Sequence, residues 1–103
     1  MPSGRDYLDY VLDQLSEIEG IAWKRMMGEY LLYVKGKLIG GIYDNRFLVK
    51  PTKGAHMLMP GAVCELPYEG ARPMLLVEDM ENRELLAALC RTLYDELPEA
   101  KKK

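Results

Sequence analysis

At Ile21 the hydrophobic period of this chain changes from 3.6 residues to two. The thirty residues that follow are cut into short apolar segments by brief turns. In "IAWKRMM", Ile21, Trp23, Arg25 and Met27 alternate with Ala22, Lys24 and Met26, which gives a strand one more apolar and one more cationic side. Gly28 interrupts the run as a bulge or bend. "EYLLYV" resumes the β-type composition, Lys35-Gly36 is a candidate hairpin turn, "KLIGGIY" returns, and Asp44-Asn45 offers a second turn before "RFLVK". There Phe47 and Val49 oppose Arg46, Leu48 and Lys50. Strands joined by connections this short must be antiparallel neighbours.

The flanks supply helices. Ser3 with Asp6 resembles a capping box, and Tyr7, Leu8, Val11, Leu12, Leu15 and Ile18 recur at helical spacing up to Gly20, a natural C′ residue. Beyond the meander, Pro51 stops the last strand. Thr52 can cap a short helix running to about Met59, which Pro60-Gly61 ends. Pro67, Glu69-Gly70 and Pro73 then mark a long ordered loop, and "MLLVE" reads as a further strand. Asp79 is the expected cap of a last helix whose Leu85, Leu86, Leu89, Leu93 and Leu97 form an apolar stripe, with Pro98 as terminator. The predicted order is α-β-β-β-β-α-β-α within one domain over residues 1–103, its core about 5–97 and its residues 98–103 a solvated basic tail.

With 49% hydrophobic and 29% charged residues, the chain has the composition of an ordinary globular domain of 103 residues. No apolar run approaches the roughly 18 residues of a membrane span, and no signal-peptide pattern opens the chain, so a cytoplasmic protein is expected. Charge is unevenly placed. Residues 21 to 53 carry seven basic and two acidic side chains, whereas residues 1 to 20 carry one and five and residues 54 to 100 carry three and nine. A pI near 5.4 argues against binding driven by phosphate contacts, leaving direct nucleic-acid binding weak at most.

The motifs of common chemistry are missing. Gly36-Lys37 is followed by Leu38, so there is no Walker loop, and Gly36, Gly40 and Gly41 do not form a dinucleotide fingerprint. Gly40-Gly41 instead suggests a bulge or a place where a helix or loop packs close to backbone. His56 has no evident carboxylate partner, and with Cys64 and Cys90 it makes no metal-ligand spacing. No enzyme activity, cofactor or metal is expected. Cys90, inside a helical apolar pattern, reads as a buried hydrophobe. Of the methionines, Met26, Met27, Met57 and Met59 could form an adaptable contact surface, but most methionines are expected in the core.

What remains is a cluster in the meander. Arg25, Lys35, Lys37, Arg46, Lys50 and Lys53, with Tyr30, Tyr33 and Tyr43 nearby, resemble the cation-and-aromatic surfaces that bind nucleic acids or acidic protein partners. Seven residues are the candidates for a partner-binding surface: Arg25, Lys37, Arg46 and Lys50, with Tyr30 and Tyr33, and Glu29, which joins the two tyrosines on a candidate ligand-binding side of the sheet. The alternative is a solvated sheet face whose basic residues balance the acidic helices.

The run "RMMGEYLLYVKGKLIGGIYDNRFLVKP", together with "GARPMLLVED", resembles the N-terminal domain of the TfoX/Sxy competence regulators over about residues 5 to 97. Arg25-Met26, Gly28, Tyr30, Leu32-Tyr33, Gly36-Lys37, Asp44, Leu48 and Lys50 carry the likeness; Met27 stands where an aromatic residue is common. The resemblance implies an α+β, two-layer fold in which an antiparallel sheet of four to five strands packs against N-terminal and C-terminal helices. It also implies a stand-alone copy of that domain, without the C-terminal domain of the full regulators. The function implied is regulatory, through contact with the cyclic-AMP receptor protein or another transcription-associated protein. An exposed sheet edge leaves homodimer formation open.

Overall fold

The computed structural model of the chain describes residues 4–97. The expected Ser3 cap, the Pro98 terminator and the basic tail 98–103 lie outside the described residues. In chain order the elements are α1 (Arg5–Gln14), β1 (Ile21–Met26), β2 (Glu29–Val34), β3 (Lys37–Ile42), β4 (Phe47–Val49), α2 (Lys53–Leu58), β5 (Cys64–Glu65), β6 (Met74–Leu76) and α3 (Arg83–Glu96). The class is α+β, as expected. The sheet has six strands rather than four or five, because β5 lies in the segment read as a loop. Two residues are too few to carry a period.

All six strands pair antiparallel in the order β1-β2-β3-β4-β6-β5. The first two hairpins turn on residues with left-handed backbone, Met27 (φ 52°) with Gly28 (φ 84°) and Lys35 (φ 50°) with Gly36 (φ 87°). Positive φ at both central residues is the type I′ requirement, which matches the right-handed twist of the flanking strands. Of the two expected roles for Gly28, the bend is the one observed: it is a turn residue and not a bulge. Asp44 (φ 54°) and Asn45 (φ 57°) turn β3 into β4 in the same way, between the paired backbones of Tyr43 and Arg46. The bulge lies in β3: Leu32 pairs with Gly40 and Tyr33 with Leu38, leaving Ile39 as the extra residue. Beside it, a Cβ on Gly40 would come 2.2 Å from the Leu48 carbonyl oxygen, so the close approach is to the neighbouring strand β4 rather than to a helix or loop.

Tyr30, Leu32 and Val34 line one face of β2 and are buried with Leu8, Val11 and Leu15 from α1 and Leu86, Leu89, Cys90 and Leu93 from α3. Phe47, Leu48 and Val49 are all fully buried, so β4 does not alternate as expected; it lies between β3 and β6. Helix α1 ends at Gln14, six residues before Gly20, with Leu15 as its C-cap. Gly20 (φ 86°) instead ends the turn into β1, and its carbonyl accepts the Lys35 N–H at 2.8 Å. The cap of α3 is Asn82, whose Oδ1 accepts the Leu85 N–H at 3.0 Å; Asp79 accepts from the Asn82 amide instead.

Helices α2 and α3 are joined by a polar clamp. Thr52 Oγ1 caps α2 by accepting the Ala55 N–H at 3.1 Å, as the sequence suggested. The Gly54 N–H then donates to both carboxylate oxygens of Glu96, at 2.9 and 3.1 Å. A side chain at Gly54 would have no room, since its Cβ would sit 2.1 Å from Thr92 Cγ2.

Candidate functional site

Strand register separates the residues that the sequence grouped. Residues directly opposed across an antiparallel pair share a face. Trp23 and Arg25 oppose Leu32 and Tyr30 and so lie on the helix-covered face, whereas Ala22, Lys24 and Met26 oppose Tyr33, Leu31 and Glu29 on the other. Tyr30 is buried in the core, its ring meeting Trp23 edge-on at 5.6 Å, and forms no exposed surface. Lys37 Nζ donates to the carbonyls of Tyr94 and Leu97 at the end of α3, where a cation offsets the negative end of the helix dipole.

Arg46 is equally engaged. It donates from Nε to the Tyr43 carbonyl, from Nη1 to the Glu65 carboxylate, and from Nη2 to the Leu66 carbonyl, fastening β5 and the following loop to the β3–β4 turn. Glu29 Oε1 accepts the Asp44 N–H at 3.2 Å. Of the seven candidates, Tyr30, Lys37 and Arg46 therefore hold the fold together, because distant residues in sequence supply partners that no local pattern announces. Arg25 is exposed, Tyr33 is half-buried on the face away from the helices, and Lys50 is half-buried beside a cleft.

Two surfaces emerge. The first is the edge strand β1, where every residue from Ala22 to Met26 is exposed. It presents Trp23, stacked 5.0 Å under the Arg5 guanidinium, and runs to a hairpin tip where Met26 is 41% and Met27 94% exposed. Among the described residues the side chains of Lys24 and Arg25 make no hydrogen bond or ion pair. With Met57 also exposed, the expectation that most methionines fill the core fails: Met80 alone among the described methionines is buried.

The second surface is a cleft of about 560 Å3. Leu38, Tyr43, Pro67 and Met74 give it apolar walls, Tyr68 stands at its rim, and Lys50 and Arg72 supply its charge. Tyr43 is seated beside the Tyr68 ring, with centroids 6.2 Å apart. Burial, and then the neighbouring Tyr68, Glu29 and Tyr33, push the Tyr43 hydroxyl above its ordinary range, so it stays a protonated donor at neutral pH. Sequence reasoning missed Arg72 and Tyr68, which lie in the Pro- and Gly-rich stretch read only as a loop. Burial raises the Cys90 thiol to about 12, fitting the buried hydrophobe expected, while Cys64 is exposed. Among the described residues no three of His, Cys, Asp and Glu are grouped to hold a metal ion, and no helix is long and apolar enough to cross a membrane.

No protein-family model and no solved structure matches the chain. It is 32% identical over 102 residues to a protein of Spirochaeta aurantia described as an uncharacterised 12.7 kDa protein in the trpE 5′ region, covering 98% of this chain and 89% of that one.

Proposed function

The chain belongs to the same family as the 12.7 kDa protein of Spirochaeta aurantia, and we propose that it is a non-enzymatic regulatory or adaptor domain. It engages an acidic, extended segment of a transcription-associated protein along the edge strand β1. The observation that carries this reading is the edge itself: six residues long, cationic at Lys24 and Arg25, apolar at Trp23, Met26 and Met27, and without ion pairs at either cation among the described residues. Added strands bind such edges through main-chain hydrogen bonds, while alternate side chains set specificity. The likeness of "RMMGEYLLYVKGK" to the TfoX/Sxy N-terminal domain supports the transcription-associated partner, with the cyclic-AMP receptor protein as one candidate.

A capture experiment tests it. Immobilised wild-type protein should retain a transcription-associated protein, identified by mass spectrometry, and the Lys24→Glu/Arg25→Glu variant should lose it. A folded variant that retains the same proteins equally well overturns the reading. The cleft favours a second reading, a domain that binds a small molecule on the sheet face.

A further inference from the structure

We infer that the cleft between the open sheet face and the 66–73 loop is a site for a small organic anion with an apolar body, its charge held by Arg72 and Lys50. This gives the small-molecule reading of the cleft a ligand class and does not depend on the β1 edge.

The cleft's volume of about 560 Å3 falls within the 300–1,000 Å3 typical of ligand pockets. Its walls are largely apolar, with the side chains of Leu38 and Met74 and the rings of Tyr43 and Tyr68, which are inclined at 57° to each other. None of its lining residues is acidic, although the chain as a whole carries more acidic than basic residues. Both of its charged residues are cations, and among the described residues neither side chain has a hydrogen bond or ion pair. Two uncompensated cations beside an apolar cavity are complementary to one molecule that brings both a negative charge and apolar surface. Arginine offers a planar fork to carboxylate or phosphate alike, and lysine adds a point charge. Tyr68 is 59% exposed and sits on a turn closed by the Ala71 N–H to the Tyr68 carbonyl, with Gly70 at φ 86°.

Benzoate, phenyl phosphate and the neutral benzyl alcohol are suitable probes, titrated into the isotope-labelled full chain and followed by amide chemical shifts. At least one of the two anions should bind saturably, shifting residues 38, 43, 68 and 72 together, and benzyl alcohol should bind at least tenfold more weakly. Which anion binds more tightly tells a carboxylate from a phosphate ligand. Arg72→Gln/Lys50→Gln should weaken the better anion at least tenfold, and Tyr68→Ala, at an exposed rim position, should also weaken it while preserving the dispersed spectrum. The Lys24→Glu/Arg25→Glu variant should bind the probes as wild type does, so loss of partner capture and loss of ligand binding are separate failures. The site is refuted if neither anion gives saturable shifts there, if benzyl alcohol binds as tightly, or if the folded double glutamine variant binds the anions unchanged.

Discussion

Lys37 Nζ lies 2.8 Å from the Tyr94 carbonyl oxygen and 4.2 Å from the centroid of the Tyr94 ring, and it donates a second bond to the Leu97 carbonyl at 3.0 Å. One side chain from β3 thus satisfies two of the carbonyls that the end of α3 leaves without helical partners. Lys37→Met keeps much of the aliphatic stem and removes the donors, and is expected to cost about 1–2 kcal/mol. Lys35→Met, exposed and 5.6 Å above the same ring, should cost under about 0.5 kcal/mol. Urea unfolding of the two variants compares them directly, and equal losses would contradict the clamp.

Glu96 gives the fold an acid-sensitive joint. Bonds from the Thr52 hydroxyl and the Gly54 N–H hold its carboxyl below the usual range. A group with a depressed folded pKa contributes stability that is present above its unfolded value and lost as pH falls through the folded one. Wild type should therefore melt above Glu96→Gln at neutral pH, with the gap closing on acidification. A gap that stays constant from pH 7 to pH 3 would show that the carboxylate charge contributes nothing.

The same joint leaves Gly54 no freedom to grow. Gly54→Ala would drive Cβ against Thr92 Cγ2 and the Glu96 carboxylate, an overpacking expected to cost about 1–3 kcal/mol. Pairing it with Thr92→Ser, which removes the opposing methyl, should recover part of that loss in thermal melts. No recovery would place the strain elsewhere.

Met27 holds a left-handed backbone with its side chain 94% exposed. Neither feature helps the folded state, because asparagine is the preferred residue before glycine in a type I′ turn. Met27→Asn should stabilise the protein by about 1 kcal/mol while weakening capture of the β1 partner. A stabilised variant with undiminished capture would remove Met27 from the contact.

The two thiols should differ sharply. Cys64 is exposed, whereas Cys90 is buried with its thiol raised to about 12. Under native conditions a disulfide reagent should titrate one thiol quickly and reach the second only with unfolding. Equal rates at both would mean that α3 opens far more readily than its packing implies.

The parts of this fold that the sequence announces are those governed by near neighbours. The strands over residues 21–42, the alternation of β2, the turn chemistry of Lys35-Gly36 and Asp44-Asn45, and the Thr52 cap each act over a few residues, and each is present in the structure. What escaped notice depends on distant partners. Strand β5 exists only through its pairing of Cys64 with Leu75 and Glu65 with Met74. Lys37 and Arg46 look like free cations until residues 57 and 19 positions away arrive beside them. Arg25 and Tyr33 both stand at odd positions, yet the register across the hairpin opposes Arg25 to Tyr30 and Tyr33 to Ala22, which puts the two on opposite faces of the sheet. Arg72 and Tyr68 had no periodic signal at all, since a loop's shape is set by what it covers.

The sheet ends in β1 on one side and in the two-residue β5 on the other. An edge of two residues offers too little backbone for another strand to add, and short edge strands are one of the ways proteins discourage such pairing. The sheet accordingly has a valence of one. Among the described residues, a partner seated on β1 occupies the one long docking rail, and even a second copy of the chain placed there would close a pair and leave no other long edge to extend. Like a chain terminator in a polymerisation, this domain can join a β-structured assembly but cannot propagate one.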